Sequence, residues 1–149
     1  TAEQIEQART LFREYEKWFG LKLCFQNFDE EVENLPGNCK PPDGRLFLAF
    51  ADNKLAGCIA LRKLEEKDCE MKRLFVREKF RNFGIGKILI EKLISEAQTI
   101  GYEKMRLDTF PPKMSKAVEL YNLYGFYKIA AYYHNPYGET LFMESDLTK

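Results

Sequence analysis

The chain has 149 residues, 45% hydrophobic and 31% charged, which is the size and composition of one folded domain and excludes a disordered or fibrous class. Lys plus Arg and Asp plus Glu number 23 each, so the overall basic charge of a protein that lives mainly on nucleic acid is absent. No apolar run approaches the roughly 18 residues of a membrane span, and the first residues lack a signal peptide's order, so a cytoplasmic protein with no membrane or nucleic-acid partner is expected.

Ile5, Ala8, Leu11, Phe12, Tyr15, Trp18 and Phe19 form one apolar helical stripe that Gly20 stops, and Thr1 with Gln4 could close a capping box. A second short helix is expected from Phe28 to about Leu35, with Asn27 as N-cap and Pro36-Gly37 as terminator. Residues 45–51 and 55–63 read as strands folded back at Asp52 and Asn53. Cys69–Val76 is the next strand, and it runs directly into "FRNFGIGK", residues 80–87.

From Ile85 the positions Ile88, Leu89, Leu93, Ile94, Ala97 and Ile100 keep helical spacing until Gly101. Residues 104–110 then return as a strand parallel to the one before the helix, a βαβ unit. "PPK" at 111–113 reads as a loop, Ser115–Tyr124 as the last helix, and "FYKIAAYY" and "TLFMES" as two final strands around "HNPYG". The expected fold class is α/β, an α+β mixed sheet of six or seven strands with about four helices, in a single domain over 1–149.

Four cysteines, Cys24, Cys39, Cys58 and Cys69, contain no CxxC pair, and His134 is the sole histidine, so reduced thiols and no metal are expected. The glycine turn is the strongest chemical signal, because glycines between a strand and a helix let backbone N–H groups face an anion. A Walker A loop would need Gly where Arg81 stands and Ser or Thr where Ile88 stands; a dinucleotide fingerprint would need a small residue at Leu89. Six cations (Lys72, Arg73, Arg77, Lys79, Arg81, Lys87) against Glu78 alone add positive potential between residues 72 and 87.

What remains, Arg81-x-x-Gly84-x-Gly86, resembles the acyl-CoA pyrophosphate loop of the GNAT superfamily of N-acetyltransferases. "AVELYNLYGF", Ala117–Phe126, is similar to that family's Ala-x-x-x-Tyr-x-x-x-Gly-Phe segment, one strand and one helix downstream, and the order of elements agrees throughout. The resemblance implies a GNAT-like fold and acetyl-CoA as co-substrate, with transfer to a small-molecule or peptide amine in a ternary complex. It implies cofactor contacts from Arg81, Asn82, Phe83, Gly84, Ile85, Gly86 and Lys87, and a backbone oxyanion donor near Phe75 and Val76. Tyr121 would be the acid and also touch the cofactor. A phenol near ~10 protonating a thiolate near ~8.5 is uphill by roughly 2 kcal/mol.

Glu70 is the first candidate for the base and Asp108 the second; an ordinary carboxylate would need a raised pKa or a water relay for that task. The family's asparagine before the last helix is missing from "PPKMSK", where Ser115 is the available substitute. Asp29, Glu30, Glu31 and Glu33 could draw a cationic amine, or could simply favour their own helix dipole, and "YYHNPYG" could shape the pocket. No base stands evident beside Cys58 or Cys69 for an acyl-enzyme. A catalytically silent acyl-CoA-binding domain and a small interaction domain are the alternatives, and a homodimer is left open.

Overall fold

The computed structural model describes residues 1–20 and 27–148, so Cys24 lies outside the described residues. Helix α1 (Ala2–Phe19) opens on the capping box, with the Thr1 hydroxyl accepting from the Gln4 N–H at 3.2 Å, and ends at Gly20 in the left-handed region. Helix α2 (Phe28–Glu33) is shorter than the sequence suggests: Asn27 is left-handed, its side chain caps nothing, and Asn34 ends the helix.

Strands β1 (Arg45–Ala51) and β2 (Lys54–Lys63) form the expected hairpin, followed by β3 (Asp68–Val76), helix α3 (Ile85–Ile100) and strand β4 (Lys104–Thr109). Helix α4 (Pro111–Leu123) keeps the expected helix from Ser115 and adds a separate turn at "PPK" across a kink at Met114 (φ -126°, ψ 31°), because both prolines suit a first helical turn, where a fixed φ fits and no N–H is needed. Only Tyr127–Ile129 of "FYKIAAYY" forms strand β5; the tyrosines beyond it leave the sheet to make side-chain bonds described below. Strand β6 (Leu141–Asp146) completes, among the described residues, a six-stranded sheet of order β1-β2-β3-β4-β6-β5.

Helix α3 covers one face of the sheet, burying Leu89, Ile90 and Leu93 against Ile59, Leu61, Met105 and Leu107. Helices α1 and α2 cover the other, with Leu11, Phe12 and Phe28 over Cys58, Ala60 and Phe75. Every strand pair is antiparallel except β3 with β4. That parallel ladder holds for only three residue pairs, Asp68↔Lys104, Cys69↔Met105 and Glu70↔Arg106. Beyond it the two strands diverge as a fork, and their facing edges have no strand partner among the described residues.

A bulge helps to open the fork. Cys58 pairs with Phe75 and Ala60 with Lys72, so β3 places Arg73 and Leu74 opposite the single residue Ile59. Arg73 takes φ 59°, which bends β3 away from β4. Gly57 permits the close approach at the bend, since a Cβ there would lie 2.6 Å from the Phe75 carbonyl oxygen.

Candidate functional site

At the C-terminal end of β3 the chain makes a 3₁₀ turn, Glu78–Phe80, and then the glycine loop. Asn82 (φ 70°) and Gly84 (φ 77°) are both left-handed, and Gly84 is the N-cap of α3. Among the described residues none of the N–H groups from Asn82 to Lys87 donates to a backbone acceptor outside the helix, and the first helical turn has no acceptor inside it. The result is a concave run of unspent donors at a helix N-terminus, suited to an anion. A Cβ on Gly86 would stand 3.8 Å from Leu120, ordinary contact, so the protein leaves room there.

The cations of this region are mostly spent elsewhere. Arg81 turns inward, donating from Nε to the Val76 carbonyl at 2.8 Å and lying over the Trp18 ring at 5.2 Å. Arg77 pairs with Glu14 at 2.7 Å, Arg73 with Glu31 at 2.9 Å, and Lys72 approaches Glu70 at 3.8 Å. Lys79 and Lys87 remain exposed beside the loop. Backbone donors, more than side-chain charge, therefore define the cradle, with Phe83 exposed at its rim.

The cradle adjoins the mouth of the fork. Phe75 faces α1, 6.0 Å from the Trp18 ring centroid, and Val76 packs on the α3 side beside Gly86. Tyr121 of α4 is 5% exposed, its ring 5.7 Å from Phe126, and its hydroxyl has no hydrogen-bond partner among the described residues. Burial pushes its phenol up, and nearby Tyr15 and Asp108 add to the shift, so it stays a protonated donor.

On the α2 face of the fork the acidic residues divide. Glu70 is 1% exposed and accepts from Arg62 Nε at 2.6 Å and from the Tyr132 hydroxyl at 2.6 Å, with Lys72 close by. Its oxygens are thus held by two donors, with the Lys72 ammonium as a further, unbonded cation at 3.8 Å. Asp108 accepts from the Tyr133 hydroxyl at 2.8 Å and has no ion pair among the described residues. Burial holds its carboxyl above the usual range, against the opposing pull of Lys72 and of the Tyr133 bond.

Tyr133 is held in turn by Asn135, and Asn135 caps the Tyr137 N–H at 2.9 Å, which explains why "YYHNPYG" does not continue β5. The acidic patch of α2 is largely consumed: Asp29 pairs with Arg13 at 2.6 Å and Glu31 takes Arg73 through both oxygens. A cavity of about 520 Å³ lies between α2 and β3, with Glu31, Asn34, Asn38, Arg62, Glu70, Lys72 and Tyr133 in its wall.

The sequence nominated the loop, Tyr121, Glu70 and, second, Asp108; it did not show the Arg62–Glu70–Tyr132 network that the structure gathers around Glu70. The hairpin register pairs Arg62 directly with Glu70, and alternation along β3 puts Glu70 and Lys72 on one face; both were accessible signals. Burial pushes Cys39 up to about 11 and Cys58 up to about 12, so neither thiol is a ready nucleophile. Among the described residues no His, Cys, Asp and Glu group could hold a metal ion, and no helix is long and apolar enough to cross a membrane.

Comparison with known proteins gives a match to the family model described as acetyltransferase (GNAT) family over residues 5–126. An uncharacterized N-acetyltransferase of Schizosaccharomyces pombe is 34% identical over 149 residues, covering 99% of this chain and 91% of the relative. The crystal structure of a GNAT-family acetyltransferase from Staphylococcus aureus superposes with TM-score 0.82 at 24% identity, over 99% of this chain and 95% of that one. The PaiA N-acetyltransferase of Thermoplasma acidophilum, solved in complex with coenzyme A, superposes with TM-score 0.74 at 20% identity, over 98% and 94% of the two chains.

Proposed function

We propose, for a chain that belongs to the acetyltransferase (GNAT) family, that it transfers the acetyl group of acetyl-CoA directly to an amine held on the α2 face of the fork. The observation that carries this reading is the fork itself. Its edges, without strand partners among the described residues, begin beside the N–H cradle at Asn82–Lys87, and Asp108 on β4 acts electrostatically on the buried Tyr121 phenol. An anionic pyrophosphate suits the cradle, and an extended amide-bearing arm suits strand edges that lack partners.

In this reading an amine nitrogen attacks the thioester carbonyl carbon from the α2 side. The C–N bond forms, the C–S bond breaks, Asp108 takes the proton the nitrogen loses, and Tyr121 gives its proton to the departing sulfur. The Val76 N–H, which alternation along β3 turns away from β2 and into the fork, faces the transient oxyanion. The raised Asp108 carboxyl narrows the gap to an ammonium group, which an ordinary carboxylate could not bridge cheaply. Burial penalises tyrosinate, but it penalises a thiolate in the same dry site as well, so their difference stays near the ~1.5 units found in water.

Glu70, engaged by Arg62 and Tyr132, is better suited to orienting its neighbours than to accepting a proton. The buried, protonated thiols favour transfer without an acyl-enzyme. The test is a CoA-release assay over a broad amine panel, with acetyl-CoA binding followed in parallel by thermal shift. Turnover with at least one amine is expected. Binding without release from any amine would mean a silent CoA-binding domain.

A further inference from the structure

The cavity between α2 and β3 carries a specific imbalance. Arg62 and Lys72 share one carboxylate, Glu70, which is also taken by the Tyr132 hydroxyl. Arg62 spends only its Nε there, and neither of its Nη groups donates to any described residue. Lys72, whose side chain is 11% exposed, has Glu70 at 3.8 Å as its nearest counter-charge and no hydrogen bond to it. Glu31, the other acid deep in the wall, is already occupied by both arms of Arg73.

A buried ammonium and two free guanidinium nitrogens, with less than one carboxylate between them, form a ready anion site. Burial accordingly pulls the Lys72 ammonium down, with Arg73 adding to the effect. Tyr133 lines the same cavity, and its hydroxyl donates to Asp108 behind it, a carboxylate with no cation bonded to it among the described residues. Neutral amides, Asn34 and Asn38, make up much of the remaining polar wall, and Glu30 stands at the exposed rim.

We propose that the acceptor is a small zwitterion of the amino-acid class, with its carboxylate on Lys72 and the Arg62 Nη groups and its amino group on the Tyr133 side, toward the Asp108 that Tyr133 bonds. This rests on the acetyltransferase reading of the same fork. The volume of about 520 Å³ matches a small molecule, and an N–H donor set facing a hydroxyl or amide instead would not need two cations.

The experiment compares kcat/KM for CoA release with matched triples: an amino acid, its carboxamide and its decarboxylated amine, across several side chains. The free acid should exceed both partners by roughly 30-fold or more, the effect of losing one side of a buried charge contact. Lys72→Met should collapse that ratio toward one, and Lys72→Arg should restore it. Arg62→Gln reads the same ratio if Lys72→Met does not fold. Equal or better turnover of the decarboxylated amines, or an unchanged ratio in both variants, overturns the proposal while leaving an N-acetyltransferase. Acetyl-CoA binding without release from any amine overturns both readings.

Discussion

Arg73 and Glu31 stand 42 residues apart in sequence and are joined by two hydrogen bonds, from Nε at 2.9 Å and from Nη2 at 3.0 Å. The guanidinium also lies 4.9 Å over the Phe28 ring, so one bulged strand residue ties α2 to the sheet. Glu31→Gln leaves that cation buried without its charge partner, and urea unfolding should show a loss of about 3 kcal/mol. Burial pushes the Glu31 carboxyl up, but the Arg73 bonds and charge outweigh it and hold the group below its ordinary value. Its contribution is therefore present above the unfolded-state pKa and is lost as pH falls through the folded one, so the two proteins should converge in acid.

The two glycines of the loop should separate stability from binding. Gly84 is left-handed, so Gly84→Val strains the backbone by about 1–2 kcal/mol and should lower both Tm and the acetyl-CoA thermal shift. Gly86 is helical with room for a Cβ, so Gly86→Ala should leave Tm unchanged or raised, by at most about 1 kcal/mol in stability. The acetyl-CoA shift should nevertheless shrink, because the methyl group stands where an anion approaches the N–H groups. A full thermal shift in Gly86→Ala would remove the cradle from the binding site.

Tyr121→Phe deletes a buried hydroxyl that bonds to nothing described in the protein. An unsatisfied buried polar group is costly, so the variant should be at least as stable as the parent. If Tyr121 is the acid, CoA release should slow by roughly 10²-fold or more. A stable variant with an unaltered rate would leave the ring as packing alone.

Asp108 should be visible in pH dependence twice over. As the base it must be ionised, so kcat/KM should fall with acid along a limb set by its raised carboxyl, and Asp108→Asn should flatten that limb while lowering the plateau. In stability the sign is opposite to that of Glu31. A folded-state pKa above the unfolded value favours the protonated fold, so stability is greatest below the unfolded pKa and declines as pH rises through the folded one. Asp108→Asn should lack that decline and be the more stable protein at neutral pH, as read by Tm across a pH series.

The loop was legible because it depends on local rules: a strand period giving way to a helix period at residues that accept left-handed backbone, Asn82 and Gly84. The cavity beside α2 was not, because it gathers Glu31, Arg62, Glu70, Lys72 and Tyr133 from several elements, and only the sheet register and the bulge at Arg73 bring them together. Glu70 shows the difference. Read along its own strand it is an isolated acid available for proton transfer; read across the sheet it is the shared partner of Arg62 and Tyr132. The extra turn of α4 was missed for a smaller reason, since a proline pair signals a helix start as readily as a loop.

The three-rung seam between β3 and β4 makes the sheet two plates with a short weld: β1, β2 and β3 on one side, β4, β6 and β5 on the other. Arg62 and Lys72 belong to the first plate, Asp108 to the second, and Tyr133 rides on the second through its bond to Asp108. A molecule lodged in the slot would brace both plates at once and fix the spacing of the groups that receive the other reactant. On the proposed acetyltransferase reading, such an arrangement would favour a fixed order of arrival, thioester before amine, and would make the donor a structural member of the pocket in which it is consumed.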